Sequence, residues 1–331
     1  MKKLINQADD VVSEMIEGFA GAHPEYVEKL KDRFVMVRKQ RSKEKVVLVS
    51  GGGSGHEPAH VGFIGEGMLD AAVPGSMFTS PTPDQIYEGA KAVSNGKGVL
   101  FIVKNYTGDV MNFDMAKELL EMDGIHVETV IVNDDVAVED STYTTGRRGI
   151  AGTVFVHKIA GAKAEEGAEL SEVKEVAEKV IQNVRSMGMA ISPCTIPSAG
   201  KPNFNLDENE MEIGIGIHGE PGTHREQLKT VDEIVEQLLS KIMGDLQLTS
   251  GDEAAVLVNG LGATPLMELY IANRKINEIL KEKNIKIAKT FVGEFMTSID
   301  MAGFSISLLK LDQELKALLY RKADTPAFKI G

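Results

Sequence analysis

Two histidines and an aspartate in this chain stand where an apolar run gives way to glycine, a setting in which a side chain can meet a small ligand. His56 follows Ser50-Gly51-Gly52-Gly53-Ser54-Gly55 and precedes Glu57-Pro58. Asp109 closes Lys104-Asn105-Tyr106-Thr107-Gly108-Asp109, and His218 lies within Gly214-Ile215-Gly216-Ile217-His218-Gly219-Glu220-Pro221-Gly222. Glycines accept positive φ and let backbone N–H groups approach a ligand, so a tight loop at 51–55 would present donors, Ser54 and an imidazole together. The alternation of isoleucine and glycine before His218 clears space beside its ring. A neutral imidazole in such a pocket is a nucleophile toward an electrophilic carbon, and Asp109 or His56 nearby would move a proton. Each residue also has a plainer reading: His56 and His218 as polar turn residues, and Asp109 as the N-cap of the apolar helix that follows it.

Other chemistries fit less well. Gly214, Gly216 and Gly219 match the spacing of a dinucleotide fingerprint, yet Glu220-Pro221-Gly222 does not open a helix at the last glycine as that fingerprint requires. No Gly-x-x-x-x-Gly-Lys-Ser/Thr occurs, so the chain shows no triphosphate loop. The seven histidines form neither HExxH nor a cysteine–histidine cluster. His56 and His60 have the spacing of helical metal ligands, but Gly55 and Pro58 break the helix such a pair needs. Arg147-Arg148, inside the stretch 142–149 that includes Tyr143, fits a phosphate, a partner's acidic surface or a solvated loop equally well.

Composition narrows the partners. With 36 basic against 49 acidic residues, the formal charge of −13 argues against nucleic acid or an anionic membrane. A single cysteine, Cys194, cannot form an intrachain disulfide and fits a reducing compartment, with cytoplasm the simplest location. The N-terminus turns acidic at Asp9-Asp10, where a signal peptide would continue apolar.

The elements that must position these residues follow from periodicity. Strands are predicted at 46–50, 69–73, 99–103 and 127–132, with helices at 83–94 and 110–121 between them, the grammar of a parallel sheet with crossover helices. Two helices follow at 152–166 and 172–187. The Pro-rich stretch 192–202 marks a junction. Beyond it, strands at 212–217, 254–258, 285–291 and 304–309 and helices at 231–246, 265–283 and 313–320 suggest a mixed sheet covered by helices. At 331 residues, two domains are the default expectation.

Taken together, 51–58, 104–109 and 213–222 resemble the substrate-binding K subunits of dihydroxyacetone kinases, and the resemblance spans nearly the whole chain. It implies an α/β fold in two domains. Residues 1–187 would form a three-layer α/β/α domain with a mainly parallel sheet, carrying the glycine-rich loop and Asp109. Residues 188–331 would form a two-layer α/β domain with a mixed sheet, carrying His218. In that family the histidine matching His218 forms a covalent hemiaminal with the ketone carbon of dihydroxyacetone. The residues matching His56 and Asp109 hydrogen-bond the substrate and assist transfer, Asp109 as base toward the hydroxyl that is phosphorylated. Gly53, Ser54, Gly55 and Lys104 match further substrate contacts. A hemiaminal requires a carbonyl, so the filter between ketone and glycerol would be covalency rather than size.

The resemblance further implies no nucleotide or metal on this chain. ADP or ATP with Mg would sit on a partner L subunit, recharged by an M subunit from the phosphoenolpyruvate phosphotransferase system, and the chain itself would be a homodimer. A second reading is a paralogue that senses the same ketone as a transcriptional coactivator without kinase activity.

Overall fold

The computed structural model describes residues 2–41, 44–142 and 144–331. Met1 and Tyr143, both within stretches read above, lie outside the described residues.

The chain opens with a helix, Val11–Ala22 (α1), and two short strands, Val27–Lys29 (β1) and Met36–Arg38 (β2). Val47–Ser54 (β3), Ala71–Met77 (β4), Val99–Lys104 (β5) and Val127–Val132 (β6) complete the first sheet, in the order β1-β2-β4-β3-β5-β6. β3 pairs in parallel with β4 and β5, and β5 with β6, so this sheet is mainly parallel. The strands alternate their faces with the period of the pleat. Val47, Val49, Val99, Phe101 and Val103 pack under Pro83–Val93 (α2) and Thr107–Met122 (α3) through Ile86, Ala90, Phe113 and Leu120. Leu48, Leu100 and Ile102 face the other way, onto Thr153–Glu165 (α4) and Leu170–Asn183 (α5).

The second sheet joins Val184–Ala190 (β7), Glu210–Ile213 (β8), His224–Gln227 (β9), Glu253–Gly260 (β10), Lys286–Gly293 (β11) and Gly303–Leu311 (β12), ordered β11-β10-β12-β7-β8-β9. Only β10 and β11 run in parallel, which makes it mixed. Val256 and Val258 face Val231–Leu246 (α6) and Leu266–Glu282 (α7), while Ala255 and Leu257 face back onto α4 and α5. The α4–α5 pair is therefore covered by a sheet on each side. A last helix, Gln313–Leu319 (α8), leads to the hairpin Ala323–Asp324 (β13) and Lys329–Ile330 (β14), whose Asp324 exchanges backbone hydrogen bonds with Glu66. No described helix is long and apolar enough to cross a membrane.

The α/β architecture, with one mainly parallel and one mixed sheet, matches the sequence reading, but four local expectations change. The glycines 51–53 continue β3 rather than form a loop, pairing with Val73, Pro74 and Gly75. The helix expected at 172–187 stops at Asn183, and Val184–Ala190 becomes a strand because pairing with β12 overrides a spacing that also suits a helix. The strand expected at 212–217 stops at Ile213, where Gly214 turns with φ +78°. Asp109 is not an N-cap: α3 begins at Thr107, and Asp109 lies inside its first turn.

Candidate active site

β3, the first turn of α3 and the turn after β8 converge on a cavity of about 770 Å³. Gly53, Asp109 and His218 all line it, together with Ser80, Tyr106 and Asn203. Gly53 is required by close approach, since a Cβ there would stand 2.5 Å from the Thr79 nitrogen and 2.7 Å from Phe78 Cα. Phe78 is thereby brought over the strand end, where its ring stacks on His56 at 5.0 Å.

The His218 ring is boxed by three others: Tyr106 at 4.7 Å, His56 at 4.8 Å and Phe78 at 5.1 Å, each in an edge arrangement. Its backbone is pinned, with the His218 N–H donating to Glu220 Oε2 and the His218 carbonyl accepting from Asn203. Its Nδ1 lies 2.9 Å from Glu220 Oε1. A carboxylate only accepts, so Nδ1 carries the proton and Nε2 of the neutral ring keeps its lone pair. Burial pushes the Glu220 carboxyl up, but the adjoining His218 and the Arg148 guanidinium outweigh it and hold Glu220 at about 2.

Two further acceptors are left open. His56 Nδ1 donates to the Thr297 carbonyl at 2.8 Å, which leaves Nε2 unprotonated, buried and without a partner. Burial, and then the neighbouring His218 and Lys104, hold its basicity well below that of an ordinary imidazole. Asp109 Oδ1 is also buried and unpartnered, while its Oδ2 lies 3.8 Å from Lys104 Nζ. Buried polar atoms are normally hydrogen-bonded, so an open acceptor marks where a ligand's hydroxyl would go. Asp109 lines the cavity, whereas His56 lies behind its wall, with its ring against the lining rings of Phe78 and His218.

The remaining predicted residues are placed differently. Lys104 is 1 % exposed and lies beneath Gly51 and Gly52, touching Asp109 rather than lining the cavity. Ser54 Oγ donates to the Gly75 carbonyl, and Ser54 and Gly55 line a separate cavity of about 400 Å³ beside Glu57 and Thr297. Arg147 is half-buried and Arg148 fully buried, and each is already paired with a carboxylate rather than open to a phosphate. Arg147 makes a bidentate pair with Asp245, and the fully buried Arg148 bonds Asp135 and the Gly214 carbonyl. No lysine or arginine is among the described residues that line the cavity.

Residues 17–327 match the Dak1 domain. The chain belongs to the Dak1 family. It is 55 % identical over 314 residues to a Listeria innocua protein described as the dihydroxyacetone-binding subunit DhaK of a PTS-dependent dihydroxyacetone kinase, with 95 % of each chain covered. The dihydroxyacetone kinase of C. freundii superposes with a TM-score of 0.92 at 36 % identity, covering 99 % of this chain and 60 % of that one. The dihydroxyacetone kinase operon co-activator DhaQ superposes with a TM-score of 0.91 at 34 % identity, covering 98 % and 99 %.

Within this Dak1 chain, the residues that sequence reasoning missed are the supports. Glu220 was visible as an acid two places beyond His218, inside the same glycine stretch. Arg148 braces it from behind, as the crowding at Gly216 shows: a Cβ there would stand 2.0 Å from Glu220 Oε2 and 2.7 Å from an Arg148 nitrogen. Tyr106, whose hydroxyl is a third buried and unpartnered group, carried no signal beyond its place before Thr107-Gly108-Asp109.

Proposed function

We propose that this chain is the dihydroxyacetone-binding subunit of a phosphoenolpyruvate-dependent dihydroxyacetone kinase, a phosphotransferase whose nucleotide is carried by a partner L subunit. What carries the reading is the pairing of a tethered histidine with open acceptors. His218, with its proton held at Nδ1 by Glu220, keeps a free Nε2, and Asp109 Oδ1 and His56 Nε2 lack partners beside it.

In the step proposed, Nε2 of His218 forms a bond to the carbonyl carbon while the C=O π electrons move to oxygen. That oxygen takes up a proton and the ring releases the one at Nδ1, so the hemiaminal forms without net change of charge. His56 Nε2 accepts from a hydroxyl of the held triose. Asp109 Oδ1 takes the proton from the terminal hydroxyl as it attacks the phosphoryl group, so most of the catalysis is positioning. None of the described residues of the cavity wall offers the incoming phosphates a cation, which suits a donor subunit that brings ADP or ATP with its own Mg; this chain would then need no cofactor of its own. An M subunit would recharge that nucleotide, and the K chain would work as a cytoplasmic homodimer with no nucleic-acid or membrane partner.

Reconstitution with the L and M subunits and phosphoenolpyruvate tests the assignment. Dihydroxyacetone phosphate should form, and intact-mass measurement should show one triose held at His218. The likeness to the co-activator supports a second reading in which the same adduct serves sensing. An adduct without product, at saturating partner, would select it.

A further inference from the structure

Behind Asp109 the chain buries a row of basic groups that no step above employs. Lys104 Nζ, at the end of β5, donates to the Gly51 carbonyl at 3.3 Å and meets His60 Nε2 at 3.0 Å. His60 Nδ1 then meets Nε2 of His157, a fully buried residue of α4, at 2.9 Å, and beyond it His157 Nδ1 has no partner. Gly52 leaves room for this arrangement, since a Cβ there would stand 2.5 Å from Lys104 Nζ and 3.6 Å from Asp109 Oδ2.

Valence orders the row. An ammonium only donates, so His60 Nε2 accepts; a neutral imidazole has one N–H, so His60 Nδ1 donates and His157 Nε2 accepts. His157 must then carry its proton on Nδ1. Burial, reinforced by the Lys104 charge, keeps both rings neutral, His157 at about 3.

We propose that His60 and His157 are positioning residues for phosphoryl transfer, a two-ring relay that holds the Lys104 ammonium against Asp109. The inference rests on the reading of Asp109 as the base. With Oδ2 turned to Lys104, the carboxylate offers Oδ1 to the substrate. Lys104 faces Asp109 from α3, His56 and His60 from the segment after β3, His157 through His60, and the Gly51 carbonyl. Burial favours the uncharged amine, and Asp109 opposes it. The His60 lone pair supports the ammonium as well, so weakening the relay lets Lys104 lose its proton at lower pH.

His157→Leu tests this in the complex with the L and M subunits, since it deprives the His60 Nδ1 proton of its acceptor. The expected result is a kcat about tenfold lower, the upper end of what one hydrogen bond between neutral groups is worth, with KM for dihydroxyacetone changed less than about twofold. The alkaline limb of the kcat profile should move down by about one pH unit. His157→Gln, whose side-chain carbonyl can accept the same proton, should recover most of both, and triose should still load on His218 in each variant. Normal loading with kcat and the limb unmoved in His157→Leu would overturn the relay alone. An unaltered chain that loads no triose would overturn the assigned function and the relay with it. Imidazole nitrogen NMR of the unaltered chain gives a readout that needs no variant: both rings should carry the proton on Nδ1, and a proton on His60 Nε2 would overturn the relay.

Discussion

His218 Nδ1 and Glu220 Oε1 stand 2.9 Å apart, and this one hydrogen bond decides which ring nitrogen faces a ligand. The same carboxylate also takes the His218 backbone N–H, so one side chain sets both the tautomer and the turn.

Glu220→Gln keeps the shape but removes the charge that holds the Nδ1 proton, and its amide can present a donor instead. Triose loading on His218, followed by intact mass against time, should slow by about 10–100-fold, at the lower end of general acid–base effects. Unchanged loading would mean that the tautomer is set elsewhere.

Asp109→Asn leaves the cavity wall in place and removes the base. Turnover with the partner subunits should fall by about 10²–10⁴-fold, while loading of His218 stays complete. Equal losses in loading and turnover would assign Asp109 to binding alone.

Gly53→Ala pushes a methyl group into the Thr79 nitrogen and Phe78 Cα. Overpacking of this kind costs about 1–3 kcal/mol, so thermal unfolding should move down by several degrees. Because Phe78 stacks on His56 and meets His218, loading should slow as well.

Lys158 supplies a prediction about pH. Fully buried in α4, it donates to the Leu318 carbonyl at 2.9 Å, and burial, with Arg321 nearby, lowers its pKa to about 8. Below pH 8 the folded chain bears the cost of a buried ammonium. Between pH 8 and the ordinary 10.5 the folded form gives up a proton that the unfolded form keeps, so stability from this group rises with pH. Lys158→Met removes that cost and loses one hydrogen bond. Urea titrations should show the variant about 1–2 kcal/mol more stable at pH 7, with the gain fading as pH rises through 8. A gain independent of pH would place the cause elsewhere.

The reacting residues were legible because each ends an apolar run, and a β-branched stretch stopping at glycine reads the same in sequence and in space. Their supports were not. Arg148 looks solvated in a polar stretch, and its burial depends on Asp135 and on the Gly214 carbonyl 66 residues away. Ser80 belongs locally to a helix start, and the close approach of residues 78–79 to Gly53 and of Ser80 itself to Gly75 and Gly108 places it at the cavity. Val184–Ala190 satisfies both helical and strand spacing, and partner strand β12, more than a hundred residues later, decides between them.

The α4–α5 layer also bears on how the molecule comes apart. Phe155 and Val176 lie in one apolar cluster with Leu48 and Ile102 of the first sheet and Ala255 and Leu257 of the second, so parting the halves would strip those helices bare. Denaturant should therefore meet a single cooperative unit, and a triose captured between the sheets would raise the unfolding free energy of both at once.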